Sequence, residues 1–105
     1  SIQMIKIKIK KEIKIGGLTF KSRWDEETKQ RLDESRFTGH AIYSTQEIRL
    51  HPNVTPEQFS LNFIHEILHN IDTIYCNDTL VEKDISGLSY GLHQVLEQLG
   101  VRFTK

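Results

Sequence analysis

The sequence predicts one α+β domain, a small mixed β-sheet packed on two helices. Three observations carry that expectation. Apolar residues alternate with lysines between Ile5 and Ile15, the period of a strand with one buried face. They recur near every fourth position from Phe59 to Ile74, and again from Leu80 to Leu99, the period of helices with an apolar stripe. The chain has 105 residues, enough for one core and too few for a second domain.

Each element has its own local signal. Ile5, Ile7, Ile9, Ile13 and Ile15 define the first strand, and Gly16-Gly17 supplies the positive φ angles of a two-residue turn. A hairpin of residues 4–15 with 18–24 follows, setting Ile15 against Leu18, Ile13 against Phe20, Ile9 against Trp24 and Glu12 against Lys21. Asp25 is placed to cap a short surface helix whose contact stripe is Trp24, Thr28 and Leu32. Gly39 to Leu50 reads as two short strands, 40–43 and 47–50, around Ser44-Thr45-Gln46. Thr55-Pro56-Glu57-Gln58 combines a hydroxyl N-cap, a proline at the first helical position and a glutamine able to close a capping box. The helix it starts should run to about Tyr75, where Asn77-Asp78-Thr79 ends it. A last helix is expected over 80–99 with Gly100 after its end, and Gly87 and Gly91 as points of close approach to the preceding helix.

Composition narrows the function. Lys+Arg and Asp+Glu stand at 14 each, so no basic surface for nucleic acid or an anionic membrane is expected, and the lysines of residues 6–14 read as a solvated strand face. No apolar run reaches the length of a signal peptide or membrane span, which predicts a cytoplasmic protein. Cys76 is alone, which fits a reducing compartment and a structural role.

The chemistry concentrates at His65-Glu66-Ile67-Leu68-His69, in the middle of the long helix. Two histidines four apart stand about 6 Å apart along one helix face, where both imidazoles reach one ion, and Glu66 beside them is placed to take a proton from a bound water. At this composition chance yields about 0.02 such motifs per chain. Buried histidines are costly unless something partners them, and Zn²⁺ is the ion suited to two imidazoles and a carboxylate. A catalytic zinc takes a third protein ligand. Among His40, His51, His93, Asp72, Asp78, Glu82, Asp84 and Glu97, the reading favours Glu82, thirteen residues beyond His69 and on one face with Ser86 and Ser89, with Asp84 the alternative.

With this motif on one helix and Glu82 on the next, the chain resembles the gluzincin metallopeptidases, and most of all the minigluzincins, whose length it shares. The resemblance implies a minimal zincin-like fold and zinc-dependent hydrolysis of peptide bonds in extended or unfolded proteins, with Glu66 as general base. It also implies that Gly39-His40-Ala41-Ile42-Tyr43 is the edge strand that binds substrate, a mode in which main-chain hydrogen bonds hold the peptide. Larger relatives set a Tyr or His over the developing oxyanion, for which Tyr43, Tyr90 and His93 are the candidates here. The minigluzincins are further known as latent forms, which implies that residues 100–105 block the cleft, within a monomer or across a homodimer. The alternative function is a zinc-holding interaction module of the same fold without turnover.

Overall fold

A computed structural model describes residues 3–105 as a mixed α+β domain of three helices and two sheets. In chain order the elements are β1 (Ile5–Lys8), β2 (Glu12–Ile15), β3 (Leu18–Arg23), α1 (Glu26–Ser35), β4 (Gly39–Ile42), β5 (Glu47–Leu50), α2 (Pro56–Tyr75), α3 (Glu82–Gln98) and β6 (Val101–Thr104). Among the described residues no helix is long and apolar enough to cross a membrane.

The larger sheet has the order β2-β3-β5-β4, antiparallel at both outer pairs and parallel between β3 and β5, which leaves β4 at an edge. Gly16 and Gly17 adopt φ of 59° and 84°, and the hairpin they make sets Ile13 against Phe20 and Glu12 against Lys21, as the alternation predicted. The hairpin is shorter than expected. Ile9 does not pair with Trp24; its N–H donates to the Thr104 carbonyl at 2.8 Å, and the chain bends before Glu12. The reason lies in Lys11, which occupies the odd position that would have faced the core.

Residues 5–8 form a separate parallel pair with β6. This overturns the expectation that residues 100–105 fill the cleft. Val101 and Phe103 are strand residues with better partners elsewhere. The Phe103 ring lies 5.1 Å from that of Phe63, its N–H donates to Ser60 Oγ at 3.0 Å, and Lys105 Nζ donates to the Pro52 carbonyl at 2.7 Å.

The core sits between the larger sheet and α2. Phe20, Ile48 and Leu50 from the sheet meet Phe59 and Phe63 from α2, with Ile9 closing one end. Thr55 Oγ1 caps α2 by accepting from the Gln58 N–H at 3.2 Å. The Gln58 side chain does not turn back to close a capping box; it donates to Asn62 Oδ1 at 2.7 Å, and Asn62 donates to the Thr38 carbonyl, tying α2 to the start of β4. Asp25 caps α1 as expected, and Thr28 and Leu32 are its buried residues. His51 is a structural peg: Nδ1 accepts from the Asn53 N–H, so Nε2–H donates to Asp33 of α1 at 2.7 Å. α3 packs on α2 through Ile85 and Ser89. Gly87 and Gly91 do not mediate that approach, since a Cβ on either would meet no atom within 4 Å. They face outward.

Candidate metal centre

α2 sets His65 and His69 one turn apart on the side facing β4 and α3. Their Nε2 atoms are 3.1 Å apart. Glu82, the first residue of α3, brings Oε1 to 2.8 Å from His65 Nε2 and Oε2 to 3.0 Å from His69 Nε2. One ligand atom from each of the three residues lies within 4.8 Å of the others, near enough for a single ion to be shared. Among the described residues this is the group of three or more His, Cys, Asp or Glu side chains near enough to share an ion. Burial holds His69 below the ordinary imidazole value, against the opposing charge of Glu82, which favours the neutral, metal-binding form.

The tight turn between the helices positions Glu82, and Asp72 organises it. The Asp72 carbonyl accepts from the N–H groups of Cys76 and Asp78, and its carboxylate accepts from the Leu80 N–H at 3.2 Å. Thr73 Oγ1 donates to Asp78 Oδ1 at 2.6 Å, while Asn77 and Asp78 turn the chain at φ of 53° and 54°. Asp72 and Asp78 thus serve the turn rather than the ligand set. Asp84 is committed as well, accepting from the Val81 N–H at 3.2 Å. The break expected at Asn77-Asp78-Thr79 includes Asp78; the part of Asp72 in the turn is the addition the structure makes.

Glu66 lies beside the pair and is 7% exposed. Its carboxyl is pushed up to about 8, chiefly by burial and then by the negative charge of Glu82, against a hydrogen bond from the Ala41 backbone N–H. β4 presses on it so closely that a Cβ at Gly39 would stand 2.7 Å from Glu66 Oε2. Here space rather than a positive φ favours glycine, since a side chain would oblige the Glu66 carboxyl to shift.

These residues line a cleft of about 610 Å³ between β4, α2 and α3. Gly39, His40 and Ala41 of β4, with Tyr43 just beyond it, form one wall of the cleft, whereas Ile42 of the expected substrate strand does not line it. Burial, then the charges of Arg49 and His69, keep His40 below its ordinary value. Asn70, absent from the sequence reading, also lines the cleft; it is 1% exposed, and its Nδ2 has no hydrogen-bond partner among the described residues. A smaller groove of about 260 Å³ on the other flank of Glu66 holds Ser86 and Tyr90. His93 is outside both, beside Glu97, which is held by Arg102. No protein-family model matches the chain, and no curated protein or solved structure matches it.

Proposed function

We propose that the chain is a zinc-dependent metallopeptidase of minimal zincin-like fold, acting on extended segments of peptides or unfolded proteins. The observation that carries the reading is the convergence of His65, His69 and Glu82 at mutual distances of 2.8–3.1 Å with buried Glu66 alongside. His65, His69 and Glu82 would hold the ion, which when bound supplies an acidified water and a Lewis acid for the peptide carbonyl.

The remaining work falls to the protein. Glu66 carries the proton: its ionised carboxylate would accept it from the attacking water and return it to the leaving amine. Gly39 leaves room for that carboxyl. The free edge of β4 aligns a substrate strand along the cleft by main-chain hydrogen bonding, which tolerates many sequences. Tyr43 stands at the end of that strand as the candidate oxyanion donor, whereas His93 is excluded from the role by its place beside Glu97.

Glu66→Gln tests the reading against a zinc-holding module without turnover. The variant should keep one zinc per chain and lose hydrolysis of an unfolded protein such as casein by about 10³-fold or more. Hydrolysis that survives this change, or survives in excess chelator with zinc shown to be absent, removes the metallopeptidase reading. A wild-type chain that binds zinc and cleaves nothing favours the silent module.

A further inference from the structure

We propose that the groove between the β1/β6 ribbon and the start of α2 is a docking site for an acidic peptide segment that carries an apolar anchor. The groove shares no lining residue with the cleft at His65 and His69, so the inference is independent of the proposed chemistry.

The groove holds about 450 Å³, a volume ordinary for a ligand site. Its floor is apolar: Pro52 and Val54 from the loop before α2, Pro56 and Phe59 from the start of that helix, and Phe103 from β6. Phe59 is braced edge-on by Trp24, with ring centroids 6.1 Å apart, and Phe103 by Phe63 at 5.1 Å, so the floor is set before anything binds. The rim is cationic. The parallel register puts Lys6 beside Arg102 and Lys8 beside Thr104 on one face of the ribbon, and all four residues line the groove. Lys105 reaches the opposite wall, where its Nζ donates to the Pro52 carbonyl at 2.7 Å and stands 6.0 Å from the Phe59 ring.

The occupant follows from charge complementarity. Among the described residues no Asp or Glu lines the groove. Glu57 and Glu97 approach the rim from α2 and α3, and both are taken by Arg102, at 3.2 and 2.8 Å. Lys6 and Lys8 are exposed and take part in none of the ion pairs among the described residues. Two residues apart on a strand, they stand about 7 Å from one another, the spacing of alternate side chains in an extended peptide. Carboxylates at that spacing meet both lysines while an apolar side chain enters the groove, which a single anionic head group cannot do. A bilayer would meet apolar side chains that protrude, whereas Phe59 at the floor is 4% exposed. The metal cleft repels the same segment, because its acidic lining is Glu66, Asp72, Asp78 and Glu82 and it has no Lys or Arg.

Fluorescence anisotropy tests the proposal, with the full chain titrated into a labelled peptide that has a Leu-Phe pair between two Glu-Asp pairs. A Kd of about 10–100 µM is expected. Lys6→Glu combined with Lys8→Glu should weaken binding by at least about tenfold while circular dichroism and melting stay native. Lys14→Glu, an exposed lysine of β2 outside the groove, should leave binding within about twofold. Replacing the Leu-Phe pair of the peptide by Ser-Ser, or its acidic residues by lysines, should each abolish binding. Absence of binding at about 500 µM chain, equal weakening by Lys14→Glu, or indifference to the Leu-Phe pair each overturns the proposal. So does capture of the chain by phosphatidylserine vesicles with no binding to the peptide.

Discussion

Helices α2 and α3 meet at the His65, His69 and Glu82 cluster, yet α2 buries eight of its 20 residues and α3 buries two of 17. α2 is capped by Thr55 and packed on the sheet through Phe59 and Phe63. α3 starts at Val81, which offers no side-chain acceptor to the helix, and rests on Ile85 and Ser89. The two proposed histidine ligands and the proposed base Glu66 therefore stand on the more deeply buried helix, and the proposed third ligand Glu82 stands on a helix held by a turn. A metal bound at this site would contribute more to the order of α3 than to that of α2.

The largest expected effect addresses that asymmetry directly. His69→Ala should weaken zinc binding by on the order of 10³-fold or more, with α2 still folded in the apo protein. Glu82→Ala should weaken it less and also loosen α3, seen as faster amide exchange over residues 83–98. Equal protection of both helices in the two variants would break the comparison. Asp84→Ala serves as the control, since Asp84 is a capping residue and its loss should leave stoichiometry unchanged.

Truncation after Leu99 comes next. It removes the Phe103 contact with Phe63 and the partner strand of β1, so the free energy of unfolding should fall by about 3 kcal/mol or more, with no gain in hydrolysis. A shortened chain that folds equally well and cleaves casein faster would restore the idea of a blocking tail.

Gly39→Ala tests the β4 wall. The added methyl must displace the Glu66 carboxyl, so activity should fall about 10- to 100-fold at unchanged zinc content. Undiminished activity would mean that Glu66 has another working position.

The smallest effects concern caps. Val81→Ser gives α3 a side-chain acceptor and should stabilise the protein by about 0.5–1 kcal/mol. Asp25→Ala should cost α1 about 1 kcal/mol. The Asp25 carboxylate is held well below its ordinary value by hydrogen bonds from Thr28 and then from Arg23. Its contribution is thus fully present above about pH 4, the unfolded value, and is lost as pH falls below it. The Asp25→Ala deficit should shrink in acid, while the Val81→Ser gain should not; melting curves at pH 7 and pH 3 decide both.

Much of this was legible locally. Gly16-Gly17 set the hairpin register, Thr55-Pro56 set the start of α2, and the His65 to His69 spacing placed two ligands on one face. The helical face of Glu82 distinguished it from Asp84, whose capping role the structure then supplied. What escaped the reading was non-local. Alternation in residues 5–9 announces a strand but does not say that its partner lies near residue 101. Gly87 and Gly91 announce an open helix face without saying which way it turns. Asn70, buried at the cleft, could have been found as a polar residue one turn from Glu66 on α2.

The parallel pairing of β1 with β6 has a kinetic consequence. It closes a loop of roughly 90 residues, the costliest closure in the fold, against few local contacts. Formation of this pair should therefore come after the folding transition state, with φ-values near zero at Ile7 and Phe103. The same pair should open before the rest of the molecule, baring the Ser60 and Phe63 side of α2 while the ligand histidines remain packed against β4. A probe of early unfolding would then report from the face of α2 that is remote from His65 and His69.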